Sequence, residues 1–190
     1  MVRSDLLNKK VFWERKEHTG AEFLSITQND SNIIAEGVVL FTTEVDAYKF
    51  AYKVVTDSRW FTKSIEIINL ELNEKFCLHS NLKGKWYVNN NELSDMDGMI
   101  DIDISVTPFS NTLPINRFKW EQGQERNFNM LYIDVPSLEL MKLEQIYKFK
   151  GSTEDGSRKF QYKCRNYETV VTVDQDGLII EYPEAFIRRY

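Results

Sequence analysis

Tyr48-Lys49-Phe50-Ala51-Tyr52-Lys53-Val54 decides the fold class, because a bulky apolar residue stands at every second position with a lysine or alanine between. As a strand, the segment places its four large side chains on one face and both lysines on the other. As a helix it would scatter them around the circumference. The same period of two recurs in Phe160-Gln161-Tyr162-Lys163-Cys164, in Phe128-Asn129-Met130-Leu131-Tyr132 and in Met99-Ile100-Asp101-Ile102-Asp103-Ile104-Ser105. The expected class is all-β with little helix.

Turn-forming residues separate these runs at 29–32, 82–84, 89–91, 121–123, 151–157 and 174–177, each rich in Asn, Asp or Gly. The spacing suits antiparallel hairpins, and no Pro/Gly/Ser-rich linker divides the chain. Two segments are irregular. Residues 60–72 change phase near Ile67-Ile68, which predicts a β-bulge there. Residues 138–149 fit a helix through Leu140, Leu143 and Tyr147, or a strand through Met141, Leu143, Tyr147 and Phe149 with a bulge before it; the strand is preferred. Two stretches, 48–105 and 141–182, each read as several strands with a Gly-containing turn and a final acidic strand. Two similar β-meanders forming one curved antiparallel sheet are expected.

The 190 residues, 42% hydrophobic and 28% charged, suffice for one domain spanning 1–190 and exclude a disordered or collagen-like chain. A net charge of −5 disfavours binding to nucleic acid or anionic membrane surfaces, which rests on cationic side chains. The first ten residues lack the apolar core of a secretory signal, and no apolar run reaches the ~18–20 residues of a membrane span. A cytoplasmic protein without stable membrane insertion is expected. Asn29-Asp30-Ser31 fits the glycosylation sequon but reads as a polar turn. Cys77 and Cys164 are too far apart for a zinc knuckle or redox pair and read as structural thiols, Cys164 buried beside Phe160 and Tyr162.

The densest chemistry lies in 95–117. Aligning Asp97-Gly98 with a calcium loop puts Leu93 and Ile104 at oxygen-donor positions, which rejects an EF-hand. Asp101 and Asp103, two apart on a strand, point to one side, and with Asp97 they suit a hard cation or an acid/base pair. The plainer alternative is a polar strand face with one acid paired to Arg117. Pro108 and Pro114 force the following chain out of any ladder, and Ser110, Asn111 and Thr112 can satisfy the backbone groups left over. Nucleophilic hydrolysis is disfavoured: no Gly-x-Ser-x-Gly elbow exists, only His18 and His79 are available as bases, and Cys77 and His79 lack an orienting acid. Neither a phosphate loop nor a dinucleotide fingerprint is present, and no cofactor or metal is expected. The 25 aromatic residues either fill the core or line the concave side of a curved sheet, where an acyl chain of about ten carbons offers roughly 8 kcal/mol gross.

The string Gly98-Met99-Ile100-Asp101-Ile102-Asp103-Ile104-Ser105-Val106-Thr107-Pro108-Phe109-Ser110-Asn111-Thr112-Leu113-Pro114-Ile115-Asn116-Arg117 resembles the signature of the Putative glycolipid-binding family, a bacterial family long classed as a domain of unknown function. Trp60-Phe61-Thr62-Lys63, Gly84-Lys85-Trp86, the Pro136 to Tyr147 segment with Gln145-Ile146-Tyr147, and Asp176-Gly177-Leu178-Ile179-Ile180-Glu181-Tyr182-Pro183 extend the resemblance over most of the chain. It implies a spiral β-roll similar to bacterial lipoprotein carriers, with no catalytic residues to carry over. Met99 stands where the family pattern has a Cys, Lys63 where it has an Arg, and Asn116 where it has a second basic residue.

The expected function is non-enzymatic binding of an amphipathic molecule, a glycolipid or fatty-acyl compound, in an apolar cavity. The candidate ligand-binding residues are Asp101, Asp103, Thr107, Phe109, Asn111, Thr112, Leu113 and Arg117 of the motif, with the aromatics Trp60, Trp86, Tyr132, Tyr147 and Tyr182. The alternatives are a carbohydrate-active or metal-dependent enzyme using Asp101 and Asp103, and a protein-interaction module. Asp101, Asp103 and Arg117 are further expected to form a network with the 107–114 connector.

Overall fold

A computed structural model describes residues 7–190; the first six, part of the stretch searched for a targeting signal, lie outside the described residues. Every strand described joins one sheet. The first meander comprises β1 (Asn8–Arg15), β2 (Gly20–Gln28), β3 (Asn32–Thr42), β4 (Ala47–Asp57), β5 (Thr62–Asn69), β6 (Glu74–Ser80), β7 (Trp86–Val88) and β8 (Asn91–Glu92). After β9 (Asp101–Ile104) come β10 (Glu125–Ile133), β11 (Leu140–Ser152), β12 (Arg158–Cys164), β13 (Tyr167–Val173), β14 (Ile179–Tyr182) and β15 (Phe186–Arg188). Spatially the sheet runs from β8 back to β1, across to β15, and back to β9. The two meanders therefore meet where β1 pairs with β15, and both are longer than the stretches 48–105 and 141–182 suggested.

This order forces the sheet to coil. Laid flat, fifteen strands at about 4.8 Å spacing would separate β8 from β9 by roughly 67 Å. The eight residues between Glu92 and Asp101 reach only about 30 Å even when extended. The edges are drawn together: the Gly98 N–H donates to the Gly84 carbonyl (2.9 Å) and the Trp86 indole donates to the Met99 carbonyl (2.7 Å).

The alternation read in β4 holds. Phe50, Tyr52 and Val54 are buried, while Ala51, Lys53 and Val55 face outward. No phase change occurs at Ile67-Ile68: Ile65 and Ile67 point inward, and Ile68 faces out opposite Ala51. The register shift in β5 falls instead opposite Val55 and Thr56, leaving Lys63 as the extra residue. Lys63 there anchors the β2–β3 turn, donating to Asn32 Oδ1 (2.7 Å). Residues 140–152 form a strand, as preferred, but its irregularity lies at Phe149/Gly151 rather than before it.

All strand pairs are antiparallel except β9 with β10. A parallel neighbour requires a crossover, and the Pro-bounded segment supplies it as a 3₁₀ turn (Pro108–Asn111) followed by α1 (Thr112–Arg117). The register of β9 and β10 puts Ile102, Ile104, Leu131 and Ile133 on one face and Asp101, Asp103, Met130 and Tyr132 on the other. Both faces are covered along β9, as at a sheet edge rolled inside.

Candidate functional site

The crossover is held rigidly by its own side chains. Thr107 caps the 3₁₀ turn by accepting the Phe109 N–H (3.1 Å), Pro108 fills the first position where no donor is needed, and Ser110 Oγ accepts the Ile104 N–H (2.9 Å). Its two ends are tied to opposite parts of the sheet. On one side, Thr107 and Tyr52 both donate to Glu22 Oε1, Thr107 at 2.8 Å. Tyr52 reaches β2 from β4 because Gly37 intervenes on β3: a Cβ there would stand 2.3 Å from the Tyr52 ring. On the other side, the Tyr147 hydroxyl donates to Asn111 Oδ1 (2.7 Å) and lies 3.2 Å from Gln145 Oε1, while Gln145 donates to Asp103 Oδ2 (2.6 Å).

The two acids of β9 have different fates. Asp101 accepts a two-point fork from Arg117, both contacts at 2.5 Å, with both side chains nearly inaccessible. The Arg117 guanidinium also lies over Phe61 (5.0 Å) and Phe118 (5.1 Å). Burial nevertheless pushes the Asp101 carboxyl up, against the pull of Arg117. Among the described residues Asp103 has only Gln145 as a hydrogen-bond donor, and burial raises its carboxyl to about 6. In place of the single expected network there are two separate units: an Asp101–Arg117 fork into α1, and an Asp103–Gln145–Tyr147–Asn111 chain that alone reaches the 107–114 connector. Because Asp101 and Asp103 open onto different pockets, they do not present one acid pair to a common substrate. Among the described residues, no group of three or more His, Cys, Asp or Glu is placed to hold a metal ion.

Asp103 borders a solvent-open cavity of about 680 Å³. The second meander supplies most of its wall: Tyr132 from β10, Met141 and Leu143 from β11, Tyr162 and Cys164 from β12, Tyr167 from β13, and Tyr182 and Phe186 from β14 and β15. Thr107, Pro108 and Asn111 of the crossover and Arg15 of β1 complete it. Of the residues nominated from sequence, the fold brings Asp103, Thr107, Asn111, Tyr132 and Tyr182 together here. It places the others elsewhere. Trp60 packs on the core margin at a turn, Trp86 is sealed at the meeting of the sheet edges, and Asp101 and Arg117 border a smaller pocket. Phe109 and Leu113 are core, Thr112 is buried, and Tyr147 is sealed within the hydrogen-bonded chain that carries Asp103.

Sequence reasoning missed Arg15, Tyr162 and Cys164 as cavity residues. For Tyr162 and Cys164 the signal was present: the strand face they share with Phe160 packs in or against the core, as expected, and its Tyr162–Cys164 end also borders the cavity. Arg15 gave none, since only the β1–β15 pairing brings it there. Burial lowers the Arg15 guanidinium and raises the Cys164 thiol and the Tyr132 and Tyr182 phenols. Cys77 and His79 instead line a groove of about 650 Å³ on the outward face of β2–β6, with Phe23, Val38 and Ile68.

A family model described as "Putative glycolipid-binding" matches residues 10–188. The crystal structure of a DUF1089 family protein from Pseudomonas aeruginosa is similar at a TM-score of 0.74 and 27% identity, covering 88% of this chain and 91% of that one. No curated protein matches in sequence. No helix among the described residues is long and apolar enough to cross a membrane.

Proposed function

The chain belongs to the Putative glycolipid-binding family, and from that premise we propose that it binds an amphipathic molecule, a glycolipid or fatty-acyl compound, in the cavity beneath the crossover without transforming it. The observation that carries this reading is the make-up of the cavity wall. Met141, Leu143 and Phe186 offer apolar surface, and Asp103, Tyr132 and Tyr182 place polar atoms beside it. A wall that combines apolar side chains with polar and charged ones suits a ligand with one apolar and one polar end. Ten buried methylenes would contribute roughly 8 kcal/mol before ordering costs, enough for micromolar affinity. A binding role also fits an Asp101 that is committed to Arg117 and withdrawn from the cavity. We extend the proposal to a single domain acting in the cytoplasm.

Native mass spectrometry of the purified protein, before and after organic extraction, tests the reading. Bound lipid should be detected or taken up. Leu143→Trp, which fills the apolar end, should abolish uptake while the chain stays folded; unchanged uptake by this variant would overturn the site assignment.

A further inference from the structure

Asp103 stands out because it is a half-buried carboxylate at the cavity wall without a counter-charge among the described residues. Gln145 occupies Oδ2, and among the described residues no donor reaches Oδ1. Among the described residues no cation lies within 4 Å of it, although eleven other carboxylates have one. A ligand seated in the cavity would strip the remaining water from this carboxylate, and an ionised group withdrawn from water is costly unless a partner compensates it.

Its neighbours are aromatic. Tyr132 sits beside it in register on β10. Tyr162, Tyr167 and Tyr182 form a triangle with ring centroids 5.7, 6.2 and 6.4 Å apart. Aromatic rings combined with a carboxylate favour organic cations, through the negative ring faces and the full negative charge.

The remaining charges of the cavity agree. Glu17, Asp134 and Glu184 add three carboxylates against Arg15 and Arg165, and none of the three is ion-paired among the described residues. Arg15 is turned toward the Phe41 and Phe186 rings at 5.0 and 5.5 Å, with its Nε and Nη1 sealed off. Arg165 is exposed at the rim against Met141 Sδ. An anionic head group would meet more carboxylates than guanidiniums, and a neutral sugar would leave the Asp103 charge uncompensated.

We propose that the polar end of the ligand is a protonated amine, held by the Asp103 carboxylate among the cavity tyrosines; this rests on the reading that the cavity is the lipid site. Affinity should then follow the ionisation of Asp103. With a carboxyl near 6 in the free protein, the ionised fraction, and with it the affinity, should fall about tenfold between pH 7.5 and pH 5.

Calorimetric titration with dodecylamine, dodecyl glucoside and dodecanoate, each below its micellar concentration, tests the proposal. Dodecylamine should bind at least about tenfold more tightly than the other two at pH 7.5 and lose about tenfold by pH 5. Asp103→Asn, nearly isosteric and still able to accept from Gln145, should bring dodecylamine and the glucoside within about twofold of each other. Binding led by the glucoside or dodecanoate, or dodecylamine affinity indifferent to pH, would overturn the amine assignment and leave the lipid site standing. Failure of all three to bind would overturn both.

Discussion

Glu22 offers the sharpest energetic test. It lies fully inside the sheet, where burial raises its carboxyl from 4.5 to about 8, against the pull of Tyr52, Thr107 and Arg15. Folding therefore favours the protonated acid. Stability from this group is fully present below about 4.5 and is lost as pH rises to about 8, because the unfolded chain releases the proton over that range and the native one retains it. The full loss is about 5 kcal/mol. Glu22→Gln keeps the oxygen that accepts from Tyr52 and Thr107 and, like the protonated acid, presents a donor where Oε2 stands without a partner. The substitution should stabilise the protein by about 1 kcal/mol at pH 5 and about 4 kcal/mol at pH 8. Asp103 also titrates near 6, but it does so in both proteins and cancels in the difference. Urea unfolding of the two proteins at both pH values gives the comparison. A gain no larger at pH 8 than at pH 5, or a destabilisation that grows with pH, would mean that Glu22 is ionised in the fold and that the hydrogen bonds outweigh burial.

Two further outcomes follow from local geometry. Arg117→Ala should cost about 3–5 kcal/mol by leaving Asp101 buried without its partner, whereas joint Asp101→Leu and Arg117→Met should recover most of that; denaturation midpoints of the three proteins check it. Gly177 has φ 79°, and a Cβ there would stand 2.2 Å from Asn116 Oδ1. Gly177→Ala should lower the thermal midpoint, and adding Asn116→Ala should restore only part of the loss because the backbone strain remains.

The parts of this architecture legible in the sequence are those set by local period and turn chemistry. Phe50, Tyr52 and Val54 declared an inward face by alternation alone, and Asn89 and Asn90, both at positive φ, declared the β7–β8 hairpin. The crossover was legible as a departure from the ladder because Pro108 and Pro114 cannot donate, and Arg117 was legible as a partner for one of two nearby acids. Which aromatics line a cavity was not legible. Trp86 and Tyr132 both sit on strands, and only the direction in which the sheet coils seals one and opens the other. Arg15 illustrates the same limit: the pairing that brings it beside Phe186 joins opposite ends of the chain. The misplaced bulge had another cause. An outward Ile68 mimics a phase change, since apolar residues on a solvent face disturb the period without moving the backbone.

The central claim is that an apolar chain occupies the space under the crossover, and anomalous scattering from crystals grown with dodecyl glucoside brominated at its chain end tests it most directly. The bromine should lie among Met141, Leu143 and Phe186. A bromine in the outward groove beside Phe23 and Val38, or none bound at all, would contradict the account.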